Sequence, residues 1–240
     1  MSGVPSIDDK GAQSLWNSIS GTASWCCQKM YVYFWGKRIL IVGPTEAGKT
    51  SLCDYLRYRA LHPPGYTQRT ISKNDTGAFL LSYKESGSVN AQVKCVVELP
   101  GHVGPIKHAQ DAFDRKPHAI IVVTDLTAPS QGQNSSAVWV QSFFEHLELQ
   151  WAGARRVYNP LQFCAILLNK MDQKDKVGSE RLGKLRYALR RAIGQNFKLC
   201  RGETKGEPGI YETLLVDNPE GAKLIDAFIF QLIQQIGAKR

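Results

Sequence analysis

Apolar residues follow two rhythms along the chain, and their alternation predicts the architecture. Short unbroken apolar runs, within Lys37 to Gly43, Ala119–Val123 and Phe163–Leu168, have the pattern of strands buried on both faces of a sheet. Between them apolar residues recur at steps of three or four, the period of an amphipathic helix. Such segments are about Lys49 to Ala60, a stretch within Ser135–Trp151, a basic segment with Leu182, Leu185, Leu189 and Ile193 on one face, and Lys223–Ile236. His62-Pro63-Pro64-Gly65 is expected to end the first helix, because proline cannot continue one. Ala78–Tyr83 and Ala91–Leu99 flank Ser86-Gly87-Ser88 and predict a hairpin, and Ile210–Val216 predicts the last strand. Strands alternating with helices, plus one early hairpin, predict an α/β fold with a mostly parallel six-stranded sheet and one antiparallel strand.

The first 36 residues follow another pattern and are expected to form an extension to the domain over 37–240. Residues 1–12 are small and polar. From Trp16 onward, Ile19, Ala23, Cys26, Met30 and Phe34 fall on one helical face, although Gly21 disfavours the helix by about 1 kcal/mol. Trp16, Trp25 and Trp35 lie in or beside this segment, with Tyr31 and Tyr33, and such aromatics suit a water–lipid interface. Adjacent Cys26 and Cys27 are candidate palmitoyl acceptors. Residues 14–35 therefore have two readings, a peripheral membrane contact or a helix packed on protein, and both stay open.

Composition narrows the class without naming the function. Apolar residues at 43% and charged residues at 21% exclude a wholly disordered chain. The six cysteines form no C-x-x-C pair, and several fall in predicted strands or helices, which points to a reducing compartment. With no secretory pattern at the N-terminus and no apolar run of the ~18 residues a span needs, a cytoplasmic location is expected. The net charge of +9 favours anionic partners but is equally compatible with solubility alone. Arg181, Lys184, Arg186, Arg190 and Arg191 are expected to be a solvated helix face, and no specific nucleic-acid contact is predicted.

The chemistry concentrates after the first strand, where Gly43-Pro-Thr-Glu-Ala-Gly48-Lys49-Thr50 reads G-x-x-x-x-G-K-T. Glycines let the backbone bend and turn its N–H groups around phosphate oxygens, while the following helix points its positive end at them. Lys49 adds a charge for the terminal phosphates and the Thr50 hydroxyl can ligate Mg²⁺. Gly43, Thr45, Glu46, Ala47, Gly48, Lys49, Thr50 and Ser51 are thus candidate nucleotide-binding residues.

Asn169-Lys170-Met171-Asp172 follows another predicted strand, and ligands in open α/β sheets bind beyond the carboxyl ends of strands. The Asp172 carboxylate matches the guanine N1–H and exocyclic amine, a donor pair adenine lacks at that edge. The Lys170 stem can lie along the purine ring. A third strand-end loop, Glu98-Leu99-Pro100-Gly101-His102, completes the set.

In this order the three motifs resemble those of the Ras-like GTPases, over about residues 37–240. Within them the chain looks most like the branch of the signal-recognition-particle receptor beta subunit and Arf-type proteins. The resemblance implies a three-layer P-loop GTPase fold, GTP/GDP and Mg²⁺ as cofactors, and slow hydrolysis of GTP to GDP and phosphate. It implies Thr50, Thr70 (with Thr67 in reserve) and Glu98 around the metal. Lys49, Gly101 and His102 become the catalytic group, with Gly101 sensing the γ-phosphate and His102 where relatives keep a water-orienting glutamine. Three departures stand out. Glu98 replaces the usual aspartate, no Ser-Ala-Lys motif precedes the last helix where Asp217-Asn218-Pro219 occurs, and the membrane span of receptor-beta proteins has only residues 14–35 as a counterpart.

Two readings from different classes follow, a molecular switch driven by GTP hydrolysis and a binding module in which GTP is a structural ligand. An ATP-using enzyme is disfavoured by Asp172.

Overall fold

The computed structural model describes residues 36–63, 74–75, 77–83, 89–129, 135–153, 160–194 and 209–237. Residues 14–35, Thr67 and Thr70, on which expectations were placed above, lie outside them. Among the described residues no helix is long and apolar enough to cross a membrane.

Seven strands form one sheet: β1 (Lys37–Val42), β2 (Asn74–Asp75), β3 (Phe79–Tyr83), β4 (Val89–Glu98), β5 (Ala119–Asp125), β6 (Phe163–Asn169) and β7 (Gly209–Glu212). The order is β2-β4-β1-β5-β6-β7, with β3 also on β4. All pairings from β4 to β7 are parallel, whereas β2 and β3 both run antiparallel to β4. These two share one register, Asn74 facing Glu98 and Phe79 facing Val93, so they occupy a single antiparallel edge. The expected six-strand pattern thus holds by position, with its one antiparallel place filled by two segments.

Helices cover both faces. On one side are α2 (Pro105–Arg115), α3 (Ser136–Gly153) and α4 (Ser179–Gly194); on the other are α1 (Lys49–Tyr58) and α5 (Pro219–Ile236). The two-residue repeat of a strand divides the central apolar runs between the layers. Leu40, Val42, Ile120, Val122, Ile166 and Leu168 enter the first core, and Ile39, Ile41, Ile121, Val123, Ala165 and Leu167 the second. Each fully buried side chain of this size contributes about 1.5–3 kcal/mol through loss of apolar surface to water. Charged residues of α4 point away from this core. Lys184 pairs with Glu180 one turn earlier, Arg186 with Glu212 of β7, and Arg181 donates to the Ala128 carbonyl.

Three boundaries differ from the sequence reading, and one helix, α2, has no counterpart in it. The first helix stops at Tyr58, before His62-Pro63, because Arg59 adopts a left-handed conformation (φ 57°) and donates its N–H to the Tyr55 carbonyl. Lys116 (φ 49°) ends α2 in the same way. The last strand ends at Glu212, and 213–216 leaves the sheet. The closing helix starts at Pro219 instead of Lys223, since the Asn218 side chain accepts from the Gly221 N–H at 2.6 Å and caps it.

Candidate functional site

The candidate residues gather at the carboxyl edge of β1, β4, β5 and β6. Buried Ile39–Val42 deliver the chain to Gly43, which has φ 144°. A Cβ there would lie 2.1 Å from the Val123 carbonyl oxygen, so only glycine allows the turn this close to β5. Glu46 (φ 62°) and Gly48 (φ 100°) are also left-handed, the alternation that curls a backbone into an anion nest. At Gly48 a Cβ would meet the Asn169 side-chain nitrogen at 2.3 Å. Thr45 and Glu46 are exposed, Ala47 is buried and Ser51 is half-buried.

Helix α1 begins at Lys49 with no side-chain cap and no acidic residue in its first turn. Lys49 is only 5% exposed, and its Nζ donates to the Pro44 carbonyl at 2.6 Å across the loop. Burial pushes its pKa down to about 8, against an opposing pull from the Glu98 carboxylate. Glu98 is itself buried and accepts from the Thr50 hydroxyl at 2.7 Å. The longer side chain therefore still reaches the threonine of the G-x-x-x-x-G-K-T loop. Among the described residues no three His, Cys, Asp or Glu side chains cluster. A hydroxyl beside one carboxylate is the partial oxygen set that suits Mg²⁺, which completes its shell with phosphates and water.

The Pro100–Gly104 loop packs directly on the Gly43–Lys49 loop. A Cβ on Gly101 would sit 2.4 Å from the Thr45 backbone nitrogen, so the Gly101 backbone lies against the loop. His102, by contrast, is exposed.

Asn169 ties the two motifs together. Its Nδ2 donates to the Ala47 carbonyl at 2.9 Å, and its Oδ1 accepts from the Leu215 N–H at 3.0 Å. Both bonds are buried, where an unmade bond would cost about 1–3 kcal/mol. Lys170 is left-handed (φ 65°), with Nζ 2.5 Å from Asp125 Oδ2. Asp125 Oδ1 accepts from both the N–H and the hydroxyl of Thr127 at 2.7 Å. Asp172 is exposed and accepts a hydrogen bond from the Gln173 side chain.

Two features escaped the sequence reading. Asp125 ends β5 at the same edge; its place directly after a buried run is a signal that ligand-bearing strand ends share. The segment beside the N-K-x-D loop is Thr213–Leu215, joined to it through Thr213 N–H to the Leu168 carbonyl (2.9 Å) as well as Leu215 to Asn169. Asp217-Asn218-Pro219 is not that segment, because Asn218 is committed to capping α5. Compared with models of known protein families and with proteins of established function, the chain has no match.

Proposed function

We propose that the protein binds guanine nucleotides with Mg²⁺ and hydrolyses GTP slowly, as a molecular switch. The observation that carries this reading is the Asn169 bridge, because it holds a phosphate-type loop and an N-K-x-D loop in one fixed arrangement. In the proposed complex the P-loop N–H groups and Lys49 would hold the phosphates, Thr50 would ligate the metal, and Glu98 would hold a metal-bound water. Lys170, kept in place by Asp125, would lie along the base, and Asp172 would read the N1–H and amine. The Gly101 N–H would sense the γ-phosphate and His102 would orient the attacking water, the positioning role that proteins supply in phosphoryl transfer.

The exposed His102 favours a second reading, in which GTP is bound as a structural ligand with negligible turnover. One experiment separates the readings. Equilibrium binding of Mg·GTP and Mg·ATP, followed by single-turnover hydrolysis of the bound nucleotide, should show a GTP preference of at least ~100-fold and measurable GDP formation. Preference without hydrolysis leaves the structural module, and no preference removes guanine from the account.

A further inference from the structure

We infer that His108, on α2, is a positioning residue: its Nε2–H holds the Pro100 carbonyl and thereby fixes the Gly101–Val103 turn against the phosphate loop. The side chain is fully buried, and Nε2 lies 2.9 Å from the Pro100 oxygen. A carbonyl only accepts, so Nε2 carries the hydrogen and Nδ1 is the lone-pair nitrogen. Nδ1 is buried and has no hydrogen-bond partner among the described residues. For packing alone an apolar side chain would serve better here, since it would leave no buried nitrogen unpaired. Among the described residues the ring's one hydrogen bond is to Pro100.

That bond falls at a sensitive point. The same Pro100 oxygen accepts the Val103 N–H at 3.2 Å, closing the turn that contains Gly101 and His102. Gly101 is also the residue whose backbone abuts Thr45 of the phosphate loop. From the other side, Trp139 of α3 meets the imidazole edge-on at 5.4 Å and is itself stacked on Phe143, so the ring is clamped by the core. Burial pushes the His108 pKa down to about 4; Lys49 and His102 act in the same direction, against Pro100 and Asp111. The neutral donor therefore persists at physiological pH. A rigid core is thus connected through one hydrogen bond to the loop that would sense a γ-phosphate.

The kinetic half of this inference rests on the proposed GTP reaction, whereas the structural half does not, and the test uses both. In the nucleotide-free full chain, amide exchange over 101–104 should be about 5-fold faster in His108→Leu, the share of one hydrogen bond, and near parental in His108→Gln, which restores a donor. With GTP bound, His108→Leu should slow single-turnover hydrolysis roughly 10-fold while Mg·GTP affinity stays within about 3-fold, and His108→Gln should recover most of the rate. Circular dichroism establishes folding, and His108→Met replaces the leucine variant if that fails to fold. Parental exchange in the apolar variant overturns the inference, as does a failure of the glutamine variant to recover protection. Rate and affinity falling together would also overturn it, by marking general damage. If the parent itself does not bind GTP, the proposed function falls, and the exchange result still decides the role of His108.

Discussion

Helices α1 and α5 lie side by side on one face of the sheet, joined by Tyr55 donating to Asp226 at 2.9 Å, yet their N-termini are built on opposite principles. α5 is locally complete: Asn218 caps it, Pro219 opens it and Glu220 places an acid in the first turn, as the dipole favours. α1 has neither cap nor acid, and a left-handed glycine precedes it. Its first residue is a buried lysine, a cation at the positive end of a helix, and burial holds its pKa down at about 8. The difference teaches that the two ends meet different demands. One is finished by its own sequence; the other becomes electrostatically favourable when an anion arrives.

The largest expected effect comes from Lys49→Met. Losing the charged donor should weaken Mg·GTP binding roughly 100-fold, while unfolding in denaturant shifts by no more than about 1 kcal/mol because a poorly solvated charge is also removed. A large stability loss with intact binding would reverse the assignment of this helix end.

A pH titration sharpens the same contrast. A bound triphosphate favours charged Lys49, so affinity should be full below about pH 7 and fall roughly 10-fold between pH 7 and pH 9.5. Ligand-free stability should carry the opposite sign from this group. The unfolded lysine keeps its proton to about 10.5 and the folded one to about 8, so this contribution rises with pH across that window. An affinity flat with pH would show that Lys49 does not meet the anion.

The smallest effect belongs to α5. Asn218→Ala should lower stability by about 1 kcal/mol through loss of the cap and leave Mg·GTP affinity within about 3-fold. A thermal melt and a binding isotherm on one sample check both halves.

The α1 half of this contrast was legible in the sequence, whereas the capped start of α5 was not, since that helix was expected from Lys223. The buried runs before Gly43, Glu98 and Asn169 are long enough to be read as central strands, and their carboxyl ends carry the motif residues. The parts that were not legible depend on contacts between distant segments. α2 passed unread although Ile106, Ala109, Ala112 and Phe113 recur at helical steps and Pro105 marks its first turn; Ile106 is exposed, and the polar His108 shares the buried face with Ala109 and Ala112. The early end of α1 arises from Arg59 in a left-handed conformation, which favours glycine or asparagine and carries no warning in that residue, and Lys116 ends α2 likewise. Asp125 is marked in the sequence only by its place after a buried run; its pairing with Lys170 emerges once β5 and β6 lie side by side. Thr213–Leu215 resembles more strand until Asn169 draws its backbone out of the sheet.

The central claim is that this site reads guanine, and Asp172→Asn tests it most directly. An amide in place of the carboxylate loses the acceptor pair for the guanine N1–H and amine, but offers a donor to the 2-oxo group of xanthine. In competition binding against GTP and xanthosine triphosphate, the parent should prefer GTP. The variant should bind GTP roughly 100-fold more weakly and prefer xanthosine triphosphate. An unchanged preference for GTP in Asp172→Asn would contradict the account.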